Sequence, residues 1–191
     1  MVLHPFRPIN PGLEVEYLDV REISLTTLSA ALYAVLLILL AQISFGPIQL
    51  RIADCIIPLA ALFGWPWIWG VTLGCFIGNL IGGMMVFGFL NPVDIILGSI
   101  ANLIAAYTIF RLRDHRLIGC ILGSIIIGVI VGGYLWLFVP APEIGLAYLP
   151  AWAAMIISIT GSSLIAISII GYALLLTMSR LGISEIAKSR K

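Results

Sequence analysis

From residue 23 to residue 180 the chain is a succession of apolar runs, broken only by glycines, short turns and isolated polar residues. A hydrocarbon layer of roughly 30 Å is crossed by about 20 such residues in an α-helix. In that solvent every backbone N–H and C=O has to be satisfied within the fold, so only helices and closed barrels can span it. Barrel strands read as short segments of alternating polarity, whereas these runs are long and continuous. Composition agrees: 61% of the 191 residues are hydrophobic and 10% are charged, against about 25% charged in ordinary soluble domains. The expected fold class is an all-α integral membrane protein with six transmembrane helices.

The runs fall at about 24–44, 52–64, 67–88, 92–112, 116–138 and 150–179. The second is short, since 13 residues rise only about 20 Å as an α-helix. It is expected either to be extended by the polar stretch before it or to be partly re-entrant. Residues 1–22 carry Arg7, Glu14, Glu16, Asp19, Arg21 and Glu22 without an apolar h-region, and read as a polar N-terminal tail rather than a signal peptide. A bundle over 23–180 and a basic tail over 181–191 complete the expected division. Seven of the ten basic residues (Arg111, Arg113, Arg116, Arg180, Lys188, Arg190, Lys191) follow the fourth or the sixth run. With six spans these positions share one side, which the positive-inside rule makes cytoplasmic together with both termini. The segment Ser44 to Asp54, the turn near Phe87 to Pro92 and the loop Pro140 to Pro150 with Glu143 are then external.

Glycines recur every fourth residue in the third run (Gly70, Gly74, Gly78, Gly82) and as the pairs Gly119/Gly123 and Gly128/Gly132 in the fifth. Small residues at this spacing let helix backbones approach closely in lipid. Trp65, Trp67 and Trp69 around Pro66 read as interfacial anchors. Cys55, Cys75 and Cys120 are scattered in apolar surroundings, and read as small core residues rather than as disulfide or zinc partners.

Polar groups placed in a membrane are costly and mark sites. The candidates are Gln49, Arg51 and Asp54 in the first external connection, Asn79 in the third run, and Asp94 and Asn102 in the fourth. Asp94 and Asn102 are eight residues apart, so they share a helix face with Gly98 between them. Asp94 follows Asn91-Pro92 and sits where a carboxylate favours the helix dipole, so capping competes with ligand contact there. Asn79 and Asn102 are able to bond each other or neighbouring helices. Arg51 and Asp54, at i and i+3, are able to pair with each other if locally helical. Tyr33, Phe45, Tyr107 and Trp136 are aromatic residues available for packing or for stacking on a ligand ring.

Other chemistries lack their residues. The only lysines are Lys188 and Lys191, so no phosphate-binding GxxxxGK[ST] loop exists. His4 and His115 lie outside the apolar runs, leaving Thr160 to Ser163 without a buried base. No cofactor motif or paired set of metal ligands is recognised. A net charge of +1 gives no reason to expect nucleic-acid binding. An enzyme is not expected.

The stretches "ISFGPIQLRIAD" (43–54), "LGCFIGNLIGG" (73–83) and "DIILGSIANLIAAY" (94–107), in this order and spacing, resemble the queuosine-precursor transporter family, QueT. The resemblance covers about Ala30 to Arg113. It implies the substrate-binding S-component of an energy-coupling factor (ECF) importer, a six-helix protein with its pocket near the outer face. Queuosine precursors, 7-cyano- or 7-aminomethyl-7-deazaguanine, are the implied substrates; the polar candidates Gln49, Asp54, Asn79, Asp94 and Asn102 are available to contact such a ligand, with Arg51 orienting Asp54 or holding the loop closed rather than touching it. Ala53-Asp54 stands where the family typically carries Ser-Glu. The implied partners are membrane lipid, a transmembrane coupling subunit docking on Ala30 and Ala34, and two ATPase subunits. An S-component for another vitamin, a solitary transporter and a non-transport membrane scaffold remain alternative readings.

Overall fold

The computed structural model describes residues 20–46, 49–140 and 149–182. The expected polar and basic tails, except for their innermost residues, and most of the loop containing Glu143 lie outside the described residues. Among the described residues the chain is helical with no strand. Five helices are long and apolar enough to cross a membrane: α1 (Val20–Leu39), α3 (Trp65–Phe87), α4 (Pro92–Arg111), α5 (Arg116–Leu135) and α6 (Ala151–Arg180). The shorter α2 (Ile52–Phe63) lies between the first two. The chain is an all-α membrane bundle, and α1 packs on α3, α3 on α4, α4 on α5 and α5 on α6.

α2 occupies the middle of this arrangement, against α1, α3, α4 and α6. Residues Ala53 to Ala60 are all buried. The polar stretch before α2 does not extend it, because Gln49 to Arg51 are not helical. Its first eight residues instead wind as a 3-10 helix, Ile52–Leu59, and only Ala60–Phe63 are α-helical. The tighter winding rises about 2.0 Å per residue, so twelve residues reach about 22 Å. A central helix need not span the lipid upright, and irregular backbone is tolerated at membrane depth where protein surrounds it. Pro58 sits inside the 3-10 run. Trp67 Nε1 donates to the Ile56 carbonyl at 2.9 Å. Trp67 is therefore buried, while Trp65 and Trp69 are half exposed, as interfacial anchors would be.

The glycines act at the contacts. An added Cβ on Gly74 would lie 2.6 Å from the Ala30 carbonyl oxygen and 2.7 Å from Tyr33 Cβ, so the α1–α3 crossing is closed by the absence of side chains. Gly119 and Gly123 face Ile109 of α4, whereas Gly128 and Gly132 face Thr160 and Ile156 of α6. The five-residue step from Gly123 to Gly128 turns the helix by about 140°, which is why the second pair serves a different neighbour. α6 contains a π-helical segment, Leu164–Gly171. Gly171 lies there against α2, where a Cβ would meet the Cys55 carbonyl oxygen at 2.7 Å. Cys55, Cys75 and Cys120 are buried and unpaired.

Gly74→Leu is expected to destabilise the protein by about 1–3 kcal/mol through overpacking. Gly133→Ala, where nothing lies within 4 Å of the added carbon, should leave stability unchanged. Thermal unfolding of the two detergent-purified variants beside the parent measures the difference.

Candidate functional site

The six polar candidates gather at one end of the bundle, where α1, α3 and α5 finish and α4 and α6 begin. All six are at least 95% buried. Asn102 lies eight residues, or about 12 Å, along α4 from Asp94, so the polar region reaches well into the bundle.

Arg51 precedes the first turn of α2 and forms its ion pair with Asp94, not with Asp54. Its Nη2 donates to Asp94 Oδ1 at 3.1 Å and to Oδ2 at 3.3 Å. The i, i+3 pairing fails because Arg51 has non-helical backbone as the residue before α2, and its side chain crosses to α4. Tyr134, near the end of α5, donates its hydroxyl to Asp94 Oδ1 at 2.6 Å. Asn79 of α3 donates to the Asp94 carbonyl oxygen at 3.0 Å, and so holds α4 rather than Asn102. The cap of α4 is Asn91, whose side chain accepts from the N–H groups of Val93 and Asp94, which frees the Asp94 carboxylate for Arg51. Gly98 keeps this cluster compact, since a Cβ there would stand 2.7 Å from Asn79 Nδ2. The Phe45 ring covers the Arg51 guanidinium, 5.5 Å from its centroid, an arrangement that favours a partly desolvated cation.

Asp54 has different partners. Its Oδ1 accepts a hydrogen bond from the Tyr33 hydroxyl of α1, and the Asn102 side chain stands beside its carboxylate. Arg51 acts on Asp54 through its field rather than by contact. Gln49 closes the region from the connection between α1 and α2. It has φ +51°, a left-handed conformation uncommon for a residue with a side chain. Its carbonyl accepts from Ser162 Oγ of α6 at 3.2 Å, and its N–H donates to Gly46 O at 3.0 Å.

Several polar atoms here have no partner: Gln49 Oε1 and Nε2, Asn79 Oδ1, Asn102 Nδ2, Arg51 Nε and Ser44 Oγ. Leaving a buried donor or acceptor unsatisfied costs about 1–3 kcal/mol. Three amides with unused atoms, beside two carboxylates and a guanidinium, form a set of donors and acceptors able to read the edges of a polar heterocycle.

Tyr134 was not legible as a site residue from the sequence, because its partner Asp94 belongs to a different helix. Tyr33, readable as an aromatic packing residue, serves through its hydroxyl. Tyr107 lies at the opposite end, 5.6 Å from Trp65, and Trp136 bonds locally to Gly133 O; neither is bonded to the cluster. That opposite end also carries Arg111, Arg113 and Arg116. Ala30 is half-buried and Ala34 is buried, and both line an apolar groove of ≈ 440 Å³ along α1 and α3, with Ala31, Val35, Leu73 and Ile77.

A family model described as QueT transporter matches residues 23–180. No curated protein and no solved structure matches the chain.

Removing one partner of a buried ion pair strands the other charge, at a cost of about 3–5 kcal/mol. Arg51→Met is expected to lose stability on that scale. Adding Asp94→Asn removes the stranded charge while keeping an acceptor for Tyr134, so the double variant should unfold at a higher temperature than Arg51→Met alone. A thermal-unfolding double-mutant cycle in detergent measures both effects, and strict additivity would contradict the coupling.

Proposed function

This chain belongs to the QueT transporter family, and from that premise we propose that it is the substrate-binding S-component of an ECF importer for a queuosine precursor. Membership makes it a membrane transporter protein, which supports a small-molecule substrate. The observation that carries the finer reading is the group of unused amide atoms on Gln49, Asn79 and Asn102, beside Asp54 and the Arg51–Asp94 pair. A 7-deazaguanine presents a ring N–H and an exocyclic amine on one edge and a carbonyl on another. Asp54 accepts the two donors, an amide nitrogen donates to the carbonyl, and the remaining amide atoms take the rest. Tyr33 orients Asp54. The Arg51–Asp94 pair fixes the connection before α2 to α4 and gives the pocket a rigid wall.

In this reading the six-helix region is 23–180, the tails at 1–22 and 181–191 are cytoplasmic, and the site end faces outward. The distribution of basic residues supports that orientation. The chain has no ATP-binding motif, so energy is assigned to two ATPase subunits acting through a transmembrane coupling subunit. Ala30 and Ala34 are assigned to its docking surface, because they line the groove along α1 where a helix backbone can approach closely.

Equilibrium binding to the purified protein tests the assignment, with 7-cyano- and 7-aminomethyl-7-deazaguanine beside guanine, queuine and a panel of vitamins. Saturable deazaguanine binding is expected, weakened at least tenfold by Asp54→Asn. Binding of another vitamin alone would move the substrate assignment, and absence of all binding would favour a scaffold. Uptake by cells lacking an ECF module should be absent; uptake there would mark a self-sufficient transporter.

A further inference from the structure

A cleft of ≈ 420 Å³ opens at the end of the bundle opposite the polar site, between the beginnings of α1 and α3. Glu22, Ile23 and Thr26 line it from α1, and Trp65, Pro66 and Trp69 from α3. Its lining suits a cation. Glu22 brings a carboxylate, and no basic residue lines the cleft among the described residues. Thr26 Oγ1 donates its proton to the Pro66 carbonyl at 3.0 Å, so towards a ligand that oxygen is an acceptor only. The rings of Trp65 and Trp69 lie 6.3 Å apart and 26° from parallel, and both are half exposed. The faces of such rings attract an ammonium through their quadrupole. The donors present, the indole N–H groups and the hydroxyl of the neighbouring Thr27, suit the phosphate that accompanies an ammonium in a phospholipid headgroup.

The adjoining groove sets the size of the occupant. Thr26 and Thr27 line both the cleft and the apolar groove of ≈ 440 Å³ that follows α1 and α3 as far as Ile38. From Thr26 to Ile38 the helix rises about 18 Å, a little more than one leaflet of a hydrocarbon layer of roughly 30 Å. Trp65 and Trp69 stand at headgroup level, as interfacial anchors do. A small amine would use the cleft and leave the groove empty. A helix from a protein partner would cover the groove, but needs a separate basic side chain placed at Glu22. In a phospholipid the cation and the apolar chain are joined covalently, in the order in which cleft and groove follow each other.

We propose that cleft and groove together bind a phospholipid with a primary ammonium headgroup. Its amine donates to Glu22 and Thr26 against the faces of Trp65 and Trp69, and one acyl chain lies along Ala30, Ala34 and Leu73. The inference does not rest on the substrate reading, because none of these residues belongs to the polar site. It bears on the docking surface: a subunit that docks on Ala30 and Ala34 displaces this lipid.

Native mass spectrometry of the purified full chain tests the proposal, with phosphatidylethanolamine, phosphatidylcholine and phosphatidylglycerol of identical acyl chains offered in equal amounts. All three carry the same phosphate, so the comparison isolates the amine. The ethanolamine lipid should be retained about fivefold or more over each of the others, since it alone combines a positive charge with N–H donors. Glu22→Gln should bring that ratio close to one. Ala31→Trp, which fills the groove from an exposed position, should lower retention of the ethanolamine lipid several-fold. Equal retention of the three lipids by the parent overturns the proposal, and so does a preference that survives Glu22→Gln or is untouched by Ala31→Trp. Equal retention together with weaker assembly of Glu22→Gln on a coupling subunit would assign the cleft to a basic side chain of a protein partner instead.

Discussion

The contact on which the rest of the site depends is the ion pair between Arg51 and Asp94. It ties the connection before α2 to the first turn of α4, and both partners are buried. Each charge is held by more than its partner. Asp94 accepts from Tyr134, and its backbone is fixed by Asn79 and Asn91, while Arg51 lies under Phe45. A buried pair withstands desolvation only with such additional contacts. Through them α3, α4, α5 and the connection ahead of α2 are drawn to one point. Asp54, next to this knot but outside it, keeps a carboxylate that no arginine has taken.

The same economy governs α2. A helix too short to cross the bilayer would expose unsatisfied backbone if it faced lipid. Enclosed by four neighbours, it is free to adopt 3-10 winding and to begin from a non-helical turn. Its neighbours then adapt to it: Trp67 bonds the Ile56 carbonyl, and α6 places Gly171 in a π-helical segment against Cys55. The Ser163 carbonyl, just before this segment, accepts from Ser124 Oγ at 3.1 Å. Segments of this kind are frequent at functional sites, and this one packs on the helix that carries Asp54.

Much of this was legible in the sequence because lipid imposes simple rules. Length and hydropathy located five long helices within a few residues at most ends, and the glycine spacing marked the helix crossings. The six polar candidates stood out because a membrane leaves few reasons for a polar side chain. Their pairing was less accessible. Arg51 and Asp54 are three residues apart and invite a local bond, yet a side chain before a helix does not have helical neighbours, and Asp94 lies 43 residues away in sequence. Likewise Tyr134 has no visible partner in the sequence until α5 is packed against α4. Trp67 looked equivalent to Trp65 and Trp69, although its position in the chain turns it inward to α2.

α1 connects the two surfaces on which the proposed function draws. Tyr33 points inward to Asp54, while the adjacent Ala34, with Ala30 and Ala31, lines the groove towards lipid. Gly74 holds this part of α1 directly against α3, leaving no side chain between them to absorb a displacement. Close-packed contacts of this type move as units rather than deforming locally. A ligand bound at Asp54, as proposed above, therefore acts on the same turn of α1 as Ala34. The geometry joins the Asp54 carboxylate to the surface of α1 through a single hydroxyl.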